Sequence, residues 1–177
     1  MPAQFPFSLK KWIDENRNLL KPPVGNKVIY KDSEFIIMAV GGPNSRKDYH
    51  YNESEEFFYQ IEGDIELGLQ ENGKANNVSI QQGDIFLLPP RIPHSPRRSA
   101  GTIGLVIERK RRSGEKDGLM WFCEKCNNKL YEEYFLLNDI MLQFQATFDK
   151  FYASVELRTC KKCNHVMTPP NSAKTEV

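Results

Sequence analysis

Four cysteines fall into two pairs, Cys123/Cys126 and Cys160/Cys163, each pair separated by two residues. A Cys-x-x-Cys turn presents two sulfurs to one metal, and two such turns fill a closed tetrahedral site. Nothing at the start of the chain reads as an export signal, so disulfides are disfavoured and metal ligation leads over free buried thiols or a redox dithiol. Iron and zinc both suit four sulfurs, and with no open position such a metal would hold structure. His165, beside the second pair, is expected to be a bystander. Upstream, the stretch "DYHYNESEEFFYQIEGD" sets His50 and Glu56 just ahead of a strand-like run, with Asn52 between them. Standing alone, His50 would read as a solvent-facing residue. It does not stand alone: the chain has only three histidines, and His94 closes the stretch "DIFLLPPRIPH".

The elements that must position these groups follow from periodicity and turn chemistry. "SLKKWIDENRNLL" places Leu9, Trp12, Ile13 and Leu20 near one helical face, with Ser8 as N-cap and Pro22-Pro23 as the stop. From Val28 to about Lys110 the chain breaks into short β-rich runs, parted by Gly41-Gly42-Pro43, Glu71-Asn72-Gly73 and Gly83-Asp84. Many short strands at regular spacing make the expected fold mainly β, a sandwich or barrel of the jelly-roll type. Between the cysteine pairs, Ile140, Phe144, Phe148 and Phe151 share one face of a predicted helix, which must bring the two pairs together across residues 127–159. The expected organisation is a β domain with its N-terminal helix over residues 1–112, a metal-binding extension over 113–168 and a flexible tail over 169–177.

Composition narrows the partners. A chain of 177 residues with 24 basic and 23 acidic side chains has no bulk charge to draw it to nucleic acid or an anionic membrane, so a small-molecule partner is favoured. No apolar run approaches the roughly 20 residues that span a bilayer, and a cytoplasmic location is expected.

The spacing of His50, Glu56 and Gly63, followed by Gly83, Pro89 and His94, resembles the two motifs of the cupins, small double-stranded β-helix proteins. Asn52 stands where most cupins have a second histidine, and Arg91 where many have glycine. The resemblance implies a metal held by His50, Glu56 and His94. Two histidines and one carboxylate form the facial triad of non-haem Fe(II) oxygenases, whose open positions admit substrate and oxygen. Arg46 lies four residues before His50 and Arg98 four after His94. Two cations beside a metal suggest a carboxylate-bearing substrate, because a guanidinium offers a fork of donors; the plain alternative is a pair of exposed arginines. Glu108 ends the apolar run "TIGLVIE", where a carboxylate needs a partner unless it is only a strand-end charge. The basic run Arg109 to Arg112 reads as a solvated face, or as a short localisation or nucleic-acid patch.

Taken together, "SRKDYHYNESEEFFYQ", "FLLPPRIPHSPRR", "LVIERKR" and the two Cys-x-x-Cys pairs resemble the 3-hydroxyanthranilate 3,4-dioxygenase family, in its bacterial and fungal form with a rubredoxin-like tail. The resemblance implies Fe(II)-dependent ring cleavage of 3-hydroxyanthranilate by O2, yielding 2-amino-3-carboxymuconate semialdehyde and then quinolinate, on the route from tryptophan to NAD. It implies iron on His50, Glu56 and His94, Arg46 beside the oxygen site, Arg98 on the substrate carboxylate, Glu108 on the substrate amino group and Asn26 in the active site. It also implies a homodimer and a structural metal, iron or zinc, on Cys123, Cys126, Cys160 and Cys163. The rival readings are another metal-dependent cupin enzyme, such as a different dioxygenase or an isomerase, and a non-catalytic regulatory cupin.

Overall fold

The computed structural model describes residues 5–22, 25–30, 33–138 and 140–170, without the side chains of Ile140 and Met141. Pro23 and residues 171–177 of the expected tail lie outside the described residues. The chain opens with a helix, α1 (Leu9–Asn16), capped as expected by Ser8, whose hydroxyl accepts from Lys11 N. The expected helix through Leu20 stops early: Asn16 Nδ2 donates to Trp12 O at 2.7 Å, and a 3-10 turn at Arg17–Leu19 finishes the segment. An amide that bonds back to the preceding turn competes with continuation of the helix.

Eleven strands follow among the described residues: β1 (Asn26–Val28), β2 (Phe35–Gly41), β3 (Tyr49–Tyr51), β4 (Glu56–Glu62), β5 (Ile65–Glu71), β6 (Lys74–Ile80), β7 (Ile85–Leu88), β8 (His94–Arg98), β9 (Ile103–Arg109), β10 (Asp117–Phe122) and β11 (Lys129–Phe135). They form two antiparallel sheets, ordered β1-β2-β9-β4-β7 and β11-β10-β3-β8-β5-β6, which is the expected jelly-roll architecture. Between the sheets sit Phe58, Leu67, Leu69, Leu88 and Val106, all buried. Strand alternation explains this core: in β4, Glu56, Phe58 and Gln60 turn inward while Tyr59 turns out. A second cluster, around Leu119, Trp121, Phe144, Phe151 and Met167, packs the helix α2 (Ile140–Ala153) onto β10. The short helix α3 (Val155–Arg158) completes the chain before the second cysteine pair.

The expected boundary at residues 112 and 113 falls in the loop before β10. Across it, β10 pairs with β3, Leu119 standing opposite His50. No helix among the described residues is long and apolar enough to cross a membrane.

Candidate active site

Register brings the three candidate ligands together. His50 on β3 pairs directly with His94 at the start of β8, and Glu56 opens β4 on the facing sheet. A ring nitrogen from each histidine and a carboxylate oxygen of Glu56 all lie within 4.8 Å of one another. His94 Nε2 is 3.1 Å from Glu56 Oε2, and the other nitrogen, Nδ1, meets Ile92 O at 3.1 Å. Burial holds His50 below its ordinary pKa and so favours the neutral imidazole that a metal needs. Burial also works against the protonated form of His94, but the adjacent Glu56 carboxylate outweighs it and raises that pKa. Two imidazoles and one carboxylate on rigid strands fit a divalent first-row metal of the facial-triad type.

The same interior carries the candidate substrate groups. Glu56, Phe58 and Gln60 of β4 face Glu108, Val106 and Gly104 of β9 in register, and the first two of these rungs line the cavity. Arg98, at the far end of β8 from His94, is 4% exposed. Its Nη1 donates to Gln60 Oε1 at 3.2 Å, its Nε has no hydrogen-bond partner, and no carboxylate among the described residues forms an ion pair with it. Burial lowers its pKa to about 10. Gly104 makes room for it: a Cβ there would stand 2.9 Å from Arg98 Nη1 and 2.8 Å from Gln60 Oε1. Arg46 behaves differently, since its guanidinium is already gripped by the buried Asp48 at 2.9 and 2.5 Å and lies over the rings of Phe144 and Phe148.

Glu108 is buried opposite Glu56, and its pKa is pushed up to about 7, first by burial and then by the Glu56 charge. Asn52, in the place of the second cupin histidine, donates to Glu108 Oε2 at 3.0 Å and to Glu56 Oε2 at 3.3 Å, tying the two carboxylates together. Arg91, in the place of the common glycine, has φ +66, so this position does take the left-handed conformation that glycine adopts without strain. Asn26 is exposed on β1 and lines the cavity with Arg46, Phe144 and Arg98. The cavity measures about 120 Å³, with Met38, Val40, Phe58 and Val106 as its apolar walls. A larger cleft of about 450 Å³ lies against Cys123 and Cys126 and includes none of the three candidate ligands.

The four cysteines also converge. Their sulfurs lie within 4.8 Å of one another, with Cys123 to Cys163 at 3.6 Å and Cys126 to Cys160 at 3.5 Å. Metal–sulfur bonds of about 2.3 Å give tetrahedral edges of roughly 3.8 Å, so the set fits a four-thiolate metal. The two turns are built alike: each Cys-x-x-Cys is followed by an asparagine in the left-handed region, Asn127 and Asn164, whose N–H donates to the first cysteine's carbonyl. The repeated "CxxCN" carried that signal in the sequence. His165 does not join the cluster; it faces Glu124 at 3.8 Å. Sequence reasoning missed Asp48, Asn44, Gln60, Arg111, Asp117 and Phe144 as parts of the site or its support. Only "DYH", with a carboxylate two residues from the histidine, hinted at one of them.

The family profile described as 3-hydroxyanthranilic acid dioxygenase matches residues 1–152. A curated "3-hydroxyanthranilate 3,4-dioxygenase" from Xanthomonas euvesicatoria pv. vesicatoria is 54% identical over 170 residues, 96% of each chain. One of the same description from Bacillus cereus is 51% identical over 162 residues, covering 91% of this chain and 90% of that one. Among solved structures, a cupin-2 domain containing protein from Shewanella frigidimarina aligns with a TM-score of 0.46 at 16% identity, over 55% of this chain and 92% of that one.

Proposed function

The chain belongs to the 3-hydroxyanthranilic acid dioxygenase family, and from that premise we propose that His50, Glu56 and His94 hold Fe(II) in a site that cleaves the ring of 3-hydroxyanthranilate with O2. The product is 2-amino-3-carboxymuconate semialdehyde, which closes to quinolinate, a precursor of NAD. One observation carries the reading: the cavity that gathers the three donor groups also holds Arg98, a buried cation with no carboxylate of its own. A buried unpaired guanidinium is costly, and a substrate carboxylate satisfies both its charge and its fork of donors.

Bound iron supplies open positions at which an electron-rich ring and oxygen can be brought together. The chain's own groups do the rest. Arg98 anchors the carboxylate and so fixes which ring edge faces the ligands. Glu108, titrating near 7, receives the substrate amino group and can take a proton at neutral pH on Oε1, the oxygen that Arg111 and Asn52 leave free. Arg46, steadied by Asp48, keeps positive charge on the oxygen side of the cavity, and Asn26 closes its mouth. Phe58, Val106, Met38 and Phe144 exclude water.

The four-cysteine site takes a structural metal, iron or zinc, and the protein works as a cytoplasmic homodimer. The outer face of the β4/β7/β9 sheet supports the dimer. Tyr59, Ile85 and Leu87 are exposed there beside Phe57 and Ile107, an apolar surface suited to a second copy. The decisive test of function is anaerobic Fe(II) loading, then addition of 3-hydroxyanthranilate and O2, following the semialdehyde chromophore. His50→Ala and His94→Ala should each abolish catalytic iron and turnover. Full activity in either variant, with iron at wild-type occupancy, would sink the assignment.

A further inference from the structure

The basic run after β9 has a member that does not behave as a solvated face. Arg111 turns inward, and its guanidinium grips Asp117 with two parallel bonds, Nε to Oδ2 at 2.8 Å and Nη2 to Oδ1 at 2.5 Å. Its Nη1 stands 2.7 Å from Glu108 Oε2. Asp117, wholly buried at the start of β10, also meets His50 Nε2 through Oδ1 at 2.7 Å. Asn52 then links Glu108 to Glu56. The contacts run unbroken from His50 through Asp117, Arg111, Glu108 and Asn52 to Glu56, two ligands joined by a buried polar chain.

We propose that Asp117, Arg111 and Asn52 are positioning residues, a second layer that sets the orientation of His50 and Glu56 toward the metal and holds Glu108 toward the substrate. This rests on the reading of His50, Glu56 and His94 as ligands. Asp117 occupies one nitrogen of His50, which fixes the ring plane and leaves the other nitrogen as the ligand atom; carboxylates commonly act so on metal-bound histidines. Arg111 in turn locks Asp117, because only a planar fork can hold a carboxylate bidentately and reach a second one. Charge supports the assignment. Arg111 stands between two buried carboxylates, 2.7 Å from Glu108 and 2.5 Å from Asp117, so its guanidinium offsets the repulsion that would otherwise drive them apart.

The test measures Fe(II) affinity at the histidine site by anaerobic titration against a competing chelator, beside elemental analysis for the four-cysteine metal, KM and kcat. Asp117→Asn should weaken Fe(II) binding roughly 10- to 100-fold while the cysteine-bound equivalent stays. Arg111→Lys, which keeps the charge but not the fork, should weaken Fe(II) binding less and raise KM for 3-hydroxyanthranilate through Glu108. Arg112→Ala, an exposed neighbour, serves as the control and should match the wild type. Wild-type Fe(II) affinity in folded Asp117→Asn overturns the proposal; if that variant does not fold, wild-type affinity and KM in Arg111→Lys do so. A wild-type protein that binds Fe(II) at this site yet leaves the ring intact would overturn the proposed reaction and leave the positioning layer standing.

Discussion

Arg98 and Gly104 are one device in two residues. The glycine gives up a side chain so that a guanidinium can lie against β9, and the guanidinium is left with one neutral partner, Gln60. Arg98→Ala should therefore raise KM for 3-hydroxyanthranilate by an amount worth about 2–5 kcal/mol, with metal content unchanged. Isothermal titration of the metal-loaded protein checks it, and an unaltered affinity would show the cation to be idle. Gly104→Ala should reproduce part of that loss without removing any charge, because the new methyl displaces Nη1. At this scale the convergence of His50, Glu56 and His94, and the place of Arg98 on the same cavity, were legible, since motif spacing brings these residues together whatever the surrounding detail. Gln60, Asp48 and Asp117 were not, because whether a lone polar residue faces in or out depends on strand parity and register that its neighbours in sequence do not reveal. Arg111 misled for the same reason: four charges in a row look solvated until a turn aims one of them inward.

The connection between β9 and β10 carries Arg111, and it is stapled. Arg109 holds Glu115 at 2.5 and 2.6 Å, while Arg112 N donates to the same carboxylate at 2.7 Å. The Arg109 hydrogen bonds foremost, then the backbone bond, lower the Glu115 pKa from its ordinary 4.5 to about 2. A carboxyl depressed in the folded state contributes its stability above pH 4.5 and loses it as pH falls toward 2. Glu115→Gln should accordingly cost about 0.5–1 kcal/mol at pH 7 and nothing near pH 2, read from urea melts; an equal loss at both would mean the charge is irrelevant. Helix α2 is the other element that supports the site, with Phe144 5.2 Å from the His50 ring and Phe144 and Phe148 beneath Arg46. Its helical face was readable from the spacing of phenylalanines, but not its target. Of the strands, β1, β2, β4, β5, β6, β7 and β9 announced themselves by β-rich runs, whereas β8, "HSPRR", hides a strand behind a proline and two arginines. β10 and β11 fall in the expected metal-binding extension, for which the spacing predicts only a helix.

As a whole the molecule has two donor sets that fit a metal and one packed cluster beside them, with α2 lying between the two cysteine pairs in sequence and against the barrel in space. Replacing Cys123 and Cys126 by serine should remove one equivalent of metal and lower the melting temperature, because structural metal binding is folding free energy. Folded protein from that variant should keep iron on the histidines but turn over more slowly as Arg46 loses its aromatic seat; elemental analysis beside turnover per iron separates the two effects. Ile85→Glu with Leu87→Glu should leave the circular dichroism unchanged and shift sedimentation to the monomer. The pairing of β10 with β3 has a further consequence for the history of such chains. A shortened descendant ending at Ser113 would inherit His50, Glu56, His94 and Arg98, yet lack the strand that borders His50 and the carboxylate that meets its ring. A chain without the cysteines would need β10, or another acid against the same imidazole, to keep the contact that Asp117 makes with His50.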